Sequence, residues 1–121
     1  MRIGELAARA GVSTSKIRFY EAQSLLPPAS RLANGYRVYG DGDLRAVTFI
    51  NRAQSLGFTL REIAAHMKLP AGERRKTEML RRLETKLAEL DCHLADVRAR
   101  RAMVMELILD VRQALGNASG R

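Results

Sequence analysis

Residues 3–26 read IGELAARAGVSTSKIRFYEAQSLL, and the punctuation of this stretch decides the fold. Ile3, Leu6, Ala7 and Ala10 recur at the spacing that puts them on one face of a helix. Gly11 follows at once, a residue that accepts the left-handed conformation in which helices stop. Ser13 then offers a side-chain oxygen to cap a second helix, TSKIRFYEAQS. Ala7 is small enough to let two helices cross closely, and Gly11 supplies the turn. Ile17, with Tyr20 or its neighbours, closes the small core from the second helix. This order of small residue, glycine and apolar residue fits a helix-turn-helix, although other short helical hairpins share it.

Pro27-Pro28 is expected to end the segment. SRLANGYRVYG follows, and Asn34-Gly35 is the dipeptide suited to a type I′ turn between short strands at 31–33 and 36–39. A basic second helix (Lys16, Arg18) followed by a hairpin with Arg31 and Arg37 describes a winged helix-turn-helix. In that arrangement a helix enters the major groove and the hairpin reaches the flanking backbone. A third helix, LRAVTFINRAQSL, is capped by Asp41 or Asp43 and closes at Gly57. Thr59 and Glu62 form a capping box for a fourth helix, with Leu60, Ile63, Ala64 and Met67 on its apolar side and His66 partly exposed. Ala53, Gly57 and Ile63 repeat the spacing of Ala7, Gly11 and Ile17, which indicates a second helix pair behind the first.

LPAG, residues 69–72, marks a boundary: a DNA-binding domain over 1–69, a linker at 70–72, a helix over 73–115 and a frayed tail at 116–121. From Glu73 to about Leu115 the chain lacks glycine and proline. Leu80, Leu83, Leu87, Leu90, Leu94, Val97, Val104, Ile108, Val111 and Leu115 follow the alternating four-three rhythm of a coiled-coil seam, with Arg101 the one polar member. About 40 residues of helix span roughly 60 Å, too long for the preceding domain to cover, so a homodimer is expected.

The totals agree. A chain of 121 residues is of single-domain size, and 5% aromatics with abundant Leu, Ala, Arg and Glu lean towards helix. A net charge of +8 points to a polyanionic partner, most simply nucleic acid. One cysteine leaves no intramolecular disulfide framework and fits a reducing cytoplasm. No signal peptide or membrane span is expected. No nucleophile–base pair, phosphate loop or convergent carboxylates point to an enzyme, and no cofactor is expected.

IGELAARAGVSTSKIRFYEAQSLL, NGYRVYG and DLRAVTFINRAQSLGFTLREI together resemble the MerR family of bacterial transcription regulators. The resemblance covers about residues 2–67, and the following helix sits where that family has its antiparallel dimerisation coiled coil. It implies a homodimer on a palindromic operator, within a promoter whose two elements are spaced too far apart. The activated dimer would distort that DNA so that RNA polymerase engages both elements, an indirect readout. Carried over by residue, Ser13, Thr14, Ser15 and Lys16 would face the groove. Arg18 would bond a base edge or, equally, a phosphate. Phe19 stands where the family often has tyrosine. Tyr20 would reach phosphate or pack; Tyr36, Arg37 and Tyr39 would touch phosphates from the wing; Arg52 is either a phosphate contact or solvated.

Cys92, beside His93, is the candidate for an effector or redox role. In the heptad frame it falls outside the seam, and consecutive helical residues cannot easily chelate one ion, so no metal site is expected. A lone thiol also lacks the cysteines that the metal-sensing and iron-sulfur branches of the family use. A small-molecule or stress effector, or none, remains open, with Cys92 expected to be a bystander. The competing reading is an architectural, excisionase-like protein that bends DNA without an effector.

Overall fold

The computed structural model describes residues 1–27 and 29–119. Five helices and one hairpin follow in order: α1 (Ile3–Ala10), α2 (Thr14–Ala22), β1 (Ser30–Arg31), β2 (Arg37–Val38), α3 (Asp41–Ser55), α4 (Leu60–Met67) and α5 (Glu73–Ser119). The fold is therefore mainly helical, and it divides into two compact units, Met1–Arg75 and Lys76–Arg121.

Local chemistry sets the helix ends of the first unit. Gly11 takes φ +71°, and Gly11 and Val12 donate to Ala8 O and Ala7 O, satisfying carbonyls that the end of α1 leaves open. The Ser13 hydroxyl accepts from Lys16 N at 3.1 Å to start α2. α2 stops at Ala22, before the proline pair expected to end it, because Ser24 enters the left-handed region at φ +59°. Ser24 N–H and Leu25 N–H then donate to Glu21 O and Tyr20 O. Pro28, the second residue of the expected breaker, lies outside the described residues. Neither Asp41 nor Asp43 is the N-cap of α3. Gly40 holds that position, and the Asp43 carboxylate, three residues on, accepts from Gly40 N at 2.9 Å.

The internal repeat extends to the hydrogen bonds. Shifted by 46 positions, Gly57 N–H and Phe58 N–H donate to Gln54 O and Ala53 O, and Thr59 replaces Ser13 as cap, accepting from Glu62 N at 3.1 Å. Ile17 and Ile63 are both buried. The same shift carries Tyr20 onto His66, which corrects the expected exposure of the histidine. His66 is 4% exposed, with its ring 5.8 Å from that of Phe49. A large flat side chain closes the helix pair at both places.

The core of this unit joins Leu6, Ala7, Ile17, Tyr20, Leu25, Leu26, Tyr39, Val47, Ile50, Ala53 and Ile63. The hairpin is antiparallel, with Ser30 opposite Val38 and Arg31 opposite Arg37. Its connection is not a type I′ turn, since Gly35 (φ +84°) has the positive φ and Asn34 does not. Gly35 N–H donates to Leu32 O, Leu32 N–H to Tyr36 O, and the Asn34 carboxamide accepts from Tyr36 N. That is a three-residue loop with glycine in its left-handed position.

α5 runs 47 residues to Ser119, so the segment expected to fray is helical at least that far, with residues 120 and 121 outside the described residues. Every expected seam residue is exposed on the single chain, from 41% at Leu83 to 63% at Leu115. Among the described residues no helix is long and apolar enough to cross a membrane.

Candidate nucleic-acid interface

α2 buries Ile17 and Tyr20 and leaves Ser15, Arg18, Phe19 and Ala22 exposed. These last four lie three and four positions apart and therefore share one outward face. Arg18 belongs to an open cleft completed by Ile3 of α1, Glu21 and Ala22 of α2, and Arg37 of the wing. Two guanidinium groups from separate elements thus meet in one depression, the arrangement that suits a polyanion with a bulky sugar-phosphate backbone.

The other residues expected in the groove take supporting positions. Ser13 spends its hydroxyl on the α2 cap. Thr14 is half-buried. Lys16 is half-buried and turns towards α3, donating from Nζ to Asn51 Oδ1 at 2.7 Å. One helical turn on, the Tyr20 hydroxyl donates to Gln54 Oε1 at 2.6 Å. Residues 16 and 20 therefore clip α2 to α3 at 51 and 54, which fixes how far the helix projects.

Of the two roles open to Tyr20, phosphate contact or packing, it takes packing, at 0% exposed; Tyr39, expected at a phosphate, is also a core residue, at 2% exposed. Burial raises the hydroxyl pKa of both. For Tyr39 the Glu21 carboxylate pushes in the same direction, against the lesser opposing effect of Arg37. The Tyr39 hydroxyl donates to Glu21 Oε1, and the Arg37 Nη1 lies 3.5 Å from Glu21 Oε2. The wing keeps Tyr36, 53% exposed, with the Arg2 guanidinium 4.4 Å above its ring. Arg52 is exposed on the last turn of α3.

Sequence reasoning missed two members of this face. Arg2 reaches it because Tyr39 N–H donates to Met1 O, drawing the chain start against the end of β2. Glu21 reaches it because the exposed side of α2 turns towards the wing. Neither pairing leaves a local signal, since the partners stand 16 to 38 positions apart. Cys92 is exposed on α5, and among the described residues no group of three or more His, Cys, Asp or Glu could hold a metal ion.

Comparison with known proteins agrees with this geometry. The family described as "MerR HTH family regulatory protein" matches residues 1–69, and that described as "MerR, DNA binding" matches residues 44–107. The mercuric resistance operon regulatory protein of Serratia marcescens is 34% identical over 119 residues, spanning 98% of this chain and 82% of its own. Heavy metal-dependent transcription regulator 2 of Rhizobium meliloti (strain 1021) is 32% identical over 120 residues, spanning 99% of this chain and 78% of its own. Among solved structures, HiNmlR, a MerR family regulator lacking the sensor domain, bound to promoter DNA, aligns with a TM-score of 0.64 at 25% identity, over 81% of this chain and 75% of that one. MerR from Bacillus megaterium MB1, in complex with mercury(II), gives 0.68 at 31% identity, over 88% and 82%. The recognition-helix face, the wing and these matches together establish that the chain belongs to the MerR family of helix-turn-helix regulatory proteins and is a DNA-binding transcription regulator.

Proposed function

We propose that the chain acts as a homodimer on a palindromic operator inside a promoter and controls transcription by distorting that DNA in response to an effector. One observation carries this reading: an exposed cationic face on α2 and the wing coexists with a 47-residue helix whose apolar stripe lies open. Two copies joined along antiparallel α5 helices would present two α2 helices to the duplex, which calls for an inverted repeat. Support comes from HiNmlR, solved on promoter DNA.

In each half-site Arg18 and Ser15 face base edges, Tyr36 and Arg37 hold phosphates from the wing, and Arg52 adds a phosphate contact from α3. Ser13, Thr14, Lys16 and Tyr20 serve indirectly by fixing α2, and Tyr39 does so for the wing. Deformation of the duplex is offset by contacts available only on bent DNA. The dimer works in the cytoplasm beside RNA polymerase, by binding and not by catalysis. Cys92, at a heptad position outside the seam, takes no part, so Cys92→Ser leaves regulation intact.

Selection from a random duplex pool tests the reading. An inverted repeat is expected, and recovery of sequences without two-fold symmetry contradicts it. On the selected site, Arg18→Ala should cost about 1–3 kcal/mol and relax sequence preference, with little change on unrelated DNA. An equal loss on both DNAs would assign Arg18 to phosphate.

A further inference from the structure

Glu21 is a carboxylate in the middle of a face that is otherwise cationic, lining the cleft with Arg18 and Arg37. Against a polyphosphate its charge is unfavourable. Both of its oxygens are engaged by the wing: the Tyr39 hydroxyl donates to Oε1, and the Arg37 Nη1 approaches Oε2 at 3.5 Å. The Glu21 side chain is 15% exposed, whereas that of Arg37 is 41% exposed. The carboxylate is thus the more buried partner, and Arg37 approaches it through Nη1 alone, on a guanidinium with five N–H donors to share with a second anion.

The wing needs such a tether. Each of its strands is two residues long, and an isolated two-stranded hairpin is marginal in water. Tyr39 supplies the fixed point, since its ring lies in the core and its backbone N–H bonds Met1 O. Glu21 connects that point to α2. We infer that Glu21 is a positioning residue for DNA recognition, locking the wing to the recognition helix so that Arg18 and Arg37 meet the duplex as a preset pair. The inference rests on the reading of this face as the DNA contact.

Charge and position predict opposite outcomes, which makes the idea testable. Glu21→Gln keeps the shape and removes one negative charge, so electrostatics alone would tighten binding to any DNA. If Glu21 positions the wing, operator affinity of the full-length protein falls roughly two- to tenfold, the range expected when one long side chain loses its preset geometry. Affinity for a scrambled duplex of equal length holds or rises. Tyr39→Phe, which leaves the charge unchanged, lowers the operator-to-scrambled ratio by a similar factor. The double variant loses less than the two single losses summed, because Glu21→Gln weakens the acceptor of the Tyr39 hydroxyl and releases Arg37, while Tyr39→Phe removes the donor to that same acceptor.

Fluorescence anisotropy at fixed salt reads both affinities, with circular dichroism melting to verify folding. An unchanged ratio in Glu21→Gln, or two losses that simply add, overturns the inference. Should Glu21→Gln not fold, Tyr39→Phe carries the same test, and an unchanged ratio there overturns it too. Wild-type protein that shows no preference for the operator would instead refute the DNA-contact reading.

Discussion

Replacing Leu90 and Leu94 together with alanine should split the dimer. Each is 46% exposed on the single chain and belongs to the seam on α5. Burying a whole leucine contributes about 1.5–3 kcal/mol, so the half still open is worth about 1 kcal/mol on pairing. Two-fold symmetry makes that four side chains per dimer, or about 4 kcal/mol, before any cavity term raises it. A loss of this size raises the dimer Kd about a thousandfold. Sedimentation equilibrium over a concentration series measures it, with Cys92→Ala, outside the seam, as the control that should leave Kd alone. A shift below tenfold in the double variant, or a wild-type chain monomeric at micromolar concentration, would rule out pairing through this stripe of α5.

Arg101 interrupts the same seam, with its Nη1 3.3 Å from the Met105 sulfur, and Arg101→Leu should tighten the dimer in the same assay, because a polar residue in a seam costs stability. Ser13→Ala removes the cap on α2 and should cost about 1 kcal/mol in chemical denaturation, with Thr59→Ala costing a similar amount at the repeated position. Near the start of α5, the Arg81 guanidinium, with Arg82 beside it, holds the Glu78 carboxyl down at about 2, from an ordinary value of 4.5. The folded-state pKa is depressed, so whatever these pairs contribute is present above about 4.5 and is lost as pH falls towards 2. An NMR titration of the Glu78 carboxyl should place its midpoint well below 4.5; a midpoint at 4.5 would show the pairs absent in solution.

What could be read from the sequence was local chemistry. Gly11, Ser13, Gly57, Thr59 and Glu62 act within a few residues of themselves, and their spacing carries the helix ends, the turn and the repeat. The α5 stripe was equally legible, because seam positions follow from period alone. The same repeat also carries the burial of His66, which stands 46 positions after Tyr20 and is buried as Tyr20 is. The site was harder to read because tyrosine and lysine suit a phosphate contact and an internal clip equally well. Tyr39 took the second role once Glu21 offered its carboxylate, and Lys16 once Asn51 stood opposite. The turn type at Asn34-Gly35 is not legible from the dipeptide, which fits loops of two and three residues alike. Arg2 and Glu21 join the face through contacts between elements, which no window of sequence displays.

Whether this dimer regulates a promoter by reshaping it can be read most directly from in vitro transcription. The template carries the selected operator between promoter elements set too far apart, with a second template whose spacer has ordinary length. The protein should change transcript yield from the long-spacer template, and the effect should disappear when the spacer is shortened. Full occupancy of the operator by footprinting with no change in transcript on either template would contradict regulation by reshaping, and would mark the chain as an architectural DNA-binding protein.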